Sequence, residues 1–139
     1  MKMNWFLLAI VSMVGFTFMN LLFKKALNVG VKSEILVFYV FGIGTLISLA
    51  YLLSIGESLE VTKVSLSILA AAALFSIVSN VILTQSIKIA PNPGYALAVN
   101  SAQILLVTVA SYFIFKSDFT LIKGVGAILT VIGLVLLGL

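Results

Sequence analysis

Charge divides this chain into blocks. Residues 3–23, 35–56, 64–87, 89–115 and 124–139 carry no formal charge, giving runs of 21, 22, 24, 27 and 16 residues filled mainly by aliphatic and aromatic side chains. A helix rising ~1.5 Å per residue needs about 20 apolar residues to cross ~30 Å of hydrocarbon. The first four runs meet that length. The fifth meets it by starting at Leu121, with Lys123 snorkelling to the interface. The pattern predicts five transmembrane helices near 4–23, 34–55, 64–88, 94–115 and 120–139, forming a single five-helix domain over residues 1–139. None of the runs alternates apolar with polar as a barrel strand does, so the fold class is all-α.

The connections carry helix punctuation. Gly30 is placed to stop helix one and Ser33 to cap helix two. Gly56 follows helix two, and Thr62 is placed to cap helix three. Asn92 is placed to cap helix four, with Pro93 in its first turn, where the missing N–H costs nothing. Asp118 stands near the start of helix five, the favourable end for an anion. Lys2 precedes an apolar core, but no A-x-A-like site follows, so helix one is expected to stay attached. With connections no longer than about a dozen residues, function is expected to reside among the helices.

Composition sharpens this. The chain is 63% hydrophobic and 9% charged, against about half and a quarter in soluble domains. That excludes a soluble enzyme, a disordered tail and a nucleic-acid-binding module. The net charge of +4 comes from eight lysines and four acids, and without Arg there is no bidentate phosphate fork. Without His or Cys there is no Cys/His metal site and no usual nucleophile–base pair. The expectation is a non-enzyme with no cofactor and no metal.

Polar residues within the spans supply the candidate chemistry. The amides Asn20, Asn80, Gln85, Asn100 and Gln103 fall only on helices one, three and four. Thr17, Asn20 and Lys24 are spaced i, i+3, i+7; Ser76, Asn80 and Thr84 repeat every four; Asn100, Gln103 and Ser111 also share a face. Three polar stripes suggest a solute path. The competing interpretation is interhelical glue, with each such hydrogen bond contributing about 0.6 kcal/mol. Lys24 is either a countercharge for an anionic group or a snorkelling end residue. Tyr95, Tyr112 and Trp5 fall where interfacial aromatics sit. With Glu34 and Glu57 at helix ends, no span interior holds an acid, which disfavours proton coupling through a buried carboxylate.

The sequence resembles one EamA-type repeat of the drug/metabolite transporter superfamily. The similarity rests on Val14-Gly15-Phe16-Thr17-Phe18, Lys24-Lys25-Ala26-Leu27, the Pro-containing turn at 91–94, and Phe115-Lys116-Ser117-Asp118-Phe119-Thr120 followed by Gly126 and Gly133. The family's Gly-Glu pair is replaced in Lys116-Ser117-Asp118. The resemblance implies half of an inverted-repeat transporter, with a central cavity lined by helices one, three and four of each half. Asn20, Lys24, Asn80, Gln85, Asn100 and Gln103 are then the expected substrate-binding residues. The expected function is alternating-access movement of a small polar metabolite through a dimer of such halves in the cell inner (plasma) membrane. The alternatives are a flippase for lipid-linked sugars, using Lys24, Lys25, Lys32 and Lys88, and a non-transporting accessory subunit. Four lysines flank the spans on each side (Lys2, Lys63, Lys116 and Lys123 against Lys24, Lys25, Lys32 and Lys88), so charge gives almost no orientational bias. The expected partners are the lipid bilayer, a small-molecule substrate, and an antiparallel second copy or a paralogous half-transporter; no nucleic acid is expected.

Overall fold

A computed structural model of the chain describes residues 4–116 and 120–138, without the side chains of Trp5 and Lys123. The roles expected of Lys2, Trp5, Asp118 and Lys123 lie outside the described residues. Among the described residues all regular structure is helical: α1 (Trp5–Asn28), α2 (Ser33–Ile55), α3 (Lys63–Ile89), α4 (Pro93–Ser101), α5 (Gln103–Phe115) and α6 (Leu121–Gly138). Four stretches are long and apolar enough to cross a membrane, at Phe6–Asn28, Ser33–Ile55, Lys63–Ile89 and Pro93–Phe115; a shorter apolar helix follows at Gly124–Leu137. The protein is thus an all-α integral membrane protein of five helical spans.

Local chemistry sets the boundaries. Helix α1 runs past the expected residue 23 to Asn28, because Lys24-Lys25-Ala26-Leu27 are good helix formers. Gly30 then stops it at φ +98, with the Val31 N–H on the Ala26 carbonyl and the Gly30 N–H on that of Leu27. Gly56, at φ +70, ends α2 with the same pair of bonds. Ser33 does not cap α2. The helix begins one residue earlier, Lys32 is its N-cap without a side-chain bond, and Ser33 is buried in the first turn. Thr62 and Asn92 act as expected: the Ser65 N–H donates to Thr62 Oγ1 at 3.1 Å and the Gly94 N–H to Asn92 Oδ1 at 2.8 Å, with Pro93 first in α4.

The fourth span departs from the single helix expected over 94–115. It divides at Ala102, whose N–H reaches the Val99 carbonyl three residues back; the Leu105 N–H likewise reaches Ala102. This is a 3₁₀-type tightening. Ser101 stands beside the break, its hydroxyl donating to the Leu97 carbonyl at 2.8 Å.

The chain divides into two compact units, Met1–Lys88 and Ile89–Leu139. In the first, burial gathers at one end, where α1 finishes, α2 starts and α3 finishes. Phe23, Leu27, Ser33, Leu36, Val37, Thr84 and Ile87 are buried there. Away from that end the helices are uncovered, with residues 6–18 of α1, 38–51 of α2 and 66–75 of α3 exposed on every face. In the second unit α6 packs along α4 and α5. Gly124 is buried and Ala127, Val131 and Leu134 are half-covered, whereas Gly126 and Gly133 are exposed. A Cβ added at either of these two would meet nothing within 4 Å.

Candidate functional site

The polar stripe of α3 lies on the covered face of its helix; on α1 Thr17 is exposed and the stripe is covered only from Asn20 onward. On α1, Asn20 and Lys24 are half-buried beside the buried Phe23 and Leu27. On α3, Ser76 and Asn80 are half-buried and Thr84 is fully buried in line with Ile87. Helix α2 differs, since its Thr45 and Ser48 are exposed.

Apart from Lys24, the side chains of these stripes bond within their own helices. Asn20 Nδ2 donates to the Phe16 carbonyl at 2.8 Å and Asn80 Nδ2 to that of Ser76 at 2.9 Å. The Thr17 hydroxyl donates to Met13, and that of Thr84 lies 2.9 Å from both the Asn80 and Val81 carbonyls. Each of these donors returns to a backbone oxygen three or four residues back. None of these bonds ties one helix to another, which is what glue requires. An amide engaged through one N–H keeps its second N–H and its carbonyl oxygen as hydrogen-bonding capacity.

Cross-helix polar contacts occur at the packed end of the first unit. Lys24 Nζ donates to the carbonyls of Ile87 at 2.8 Å and Lys88 at 3.1 Å, 63 and 64 residues away in sequence. These are among the last carbonyls of α3, which lack intrahelical donors and carry the negative end of the helix dipole. A charged donor on such an acceptor contributes about 1.5–3 kcal/mol, toward the lower value where water reaches it. Beside it, Gln85 Nε2 donates to Glu34 Oε1 at 3.0 Å, joining α3 to the start of α2. Lys25, Lys32 and Lys88 are exposed at this end.

The structure thus brings Lys24 and Gln85 to one end of α1–α3 and sets Asn20 and Asn80 along the covered faces leading to it. Asn100 and Gln103 belong to the second unit. Both are exposed and flank the tightened turn at Ala102. Neither makes a side-chain hydrogen bond among the described residues. Tyr95 and Tyr112 are also exposed, and Tyr112 stacks edge-on with Phe113 at 5.3 Å. Sequence spacing does not reveal Glu34 as a partner of Gln85, because 51 residues separate them. The Lys24 contact had one available signal, the need of the α3 C-terminus for a cation.

No curated protein and no solved structure matches the chain. The family comparison does match, over residues 3–139, which takes in every helix described above. With its five apolar helical spans and polar inner stripes, the chain belongs to the EamA-like transporter family.

Proposed function

We propose that the chain is one half of a membrane transporter that moves a small polar metabolite by alternating access, its five helices working as one domain and two copies pairing in opposite orientations. The observation that carries this reading is the placement of Asn20 and Asn80: both lie on covered faces, yet their bonds run to their own helices. Half-buried amides that do not join helices are available to a solute. Asn100 and Gln103 extend the set, and the tightened turn between them suits a span that changes shape at its centre. The even division of lysines supports insertion both ways and hence an antiparallel pair. The same proposal places it in the cell inner (plasma) membrane. Lys24 and Gln85, already engaged across helices, contribute at the end of the path rather than along it.

The test is a thermal-shift screen of the purified protein against metabolites, amino acids and lipid-linked sugars. A small polar solute is expected to raise the melting temperature. Asn80→Ala and Asn100→Ala should each abolish that rise and leave the ligand-free melting temperature nearly unchanged. Lowered ligand-free stability with intact solute response would overturn the assignment of these amides. Stabilisation by lipid-linked sugars alone would favour a flippase using the exposed lysines 25, 32 and 88.

A further inference from the structure

The geometry of the packed end points to a conformational role for Lys24: we propose that its ammonium is a latch which, by holding the last carbonyls of α3, closes one membrane end of α1–α3, and that solute passage requires the latch to open. This rests on the transporter reading and deepens it.

Three observations combine. First, Lys24 reaches across to a different helix, with Nζ at 2.8 Å from the Ile87 carbonyl and 3.1 Å from that of Lys88. Second, the tie is made at the end of the unit where apolar side chains are buried: Leu27 is 2% exposed, Val37 3% and Ile87 0%. Third, the same helices are exposed on every face over residues 6–18, 38–51 and 66–75. Closure is therefore confined to one end, as alternating access requires of a bundle sealed toward one side.

The chemistry suits a reversible tie. A lysine head group is a compact charge with three donors on a flexible stem, and it is favoured at a helix C-terminus. Its acceptors are neutral carbonyls at a span end, where water replaces the lysine when the helices part. No buried charge is left behind in the open state. The Gln85–Glu34 bond at 3.0 Å fastens α2 to α3 beside it and α1 packs against α2, so opening at Lys24 parts α1 from the end of α3 while the other two pairs stay joined. Lys25 provides an internal control. It follows directly in sequence, projects about 100° further round the helix, and is exposed.

The experiment uses the native absence of cysteine. Leu27→Cys, buried one turn beyond Lys24 on the same helix, is labelled with a maleimide in the protein in membranes. Labelling should be slow in that background and in one also carrying Lys25→Met. Lys24→Met should speed it by roughly tenfold or more, because local opening becomes easier, and Lys24→Arg should restore the slow rate. Ala96→Cys, buried in the other unit, should stay slow throughout, and the helix content of each variant should stay unchanged. Equal rates for Lys24→Met and Lys25→Met would overturn the latch, as would parallel acceleration at Ala96→Cys, which would make Lys24 a general stability residue. The readout needs no solute. A latch that behaves as expected while no solute alters labelling or stability would stand, and the transporter reading would fall instead.

Discussion

Replacing Ile87 by alanine tests whether the helices of the first unit are joined at one end. Ile87 is fully buried, whereas Ile82, five residues earlier on the same helix, is 62% exposed. In a bilayer, burying an apolar side chain against protein gains little transfer free energy, since lipid tails are as apolar as the protein interior. What Ile87→Ala loses is packing. A cavity of up to about 80 Å³ at ~24 cal/mol per Å³ gives roughly 2 kcal/mol. Ile82→Ala leaves no cavity, because lipid fills the space, and should cost less than about 0.5 kcal/mol, as surface changes do. The assay is unfolding in mixed micelles by titration with a denaturing detergent, followed by helix content. Equal costs for the two variants, or a larger cost at Ile82, would refute the one-ended packing of α1–α3.

Two further outcomes follow from the second unit. Lys116 ends α5 in the left-handed conformation at φ 50, which disfavours a side chain by roughly 1–2 kcal/mol; Lys116→Gly should stabilise the protein by about 1 kcal/mol in the same titration, and a destabilised variant would contradict the strain. Gly133→Leu adds a side chain where a Cβ meets nothing within 4 Å among the described residues, so it should leave the isolated chain's helix content intact while weakening pairing of copies in cross-linking, and undiminished pairing would remove this face of α6 from the interface.

The number of spans was legible because charge is expensive in hydrocarbon and so marks the gaps between helices. Helix ends were less legible, since a lysine that stops a membrane span does not stop a helix. Thus α1 continues through Lys24 and Lys25 to the glycine that ends it. The turn at Ala102 falls inside an uncharged stretch with no glycine or proline beside it to mark it, so the sequence carries no sign of it. The polar stripes of α1 and α3 were legible from spacing alone, because residues three and four apart share a helix face. The partners of Lys24 and Gln85 were not, since both contacts are made by tertiary packing over more than 50 residues of sequence.

The claim that two copies in opposite orientations form the transporter is tested most directly by labelling intact cells with an impermeant thiol reagent. Asn28 closes α1 and Ser58 follows α2, so the two positions lie at opposite ends of a spanning helix, and both are exposed. A single cysteine at either place has no native competitor. The account predicts that Asn28→Cys and Ser58→Cys each label about half of the protein, as an even lysine division allows. Full labelling at one position and none at the other would contradict it, and a parallel or partnered assembly would take its place.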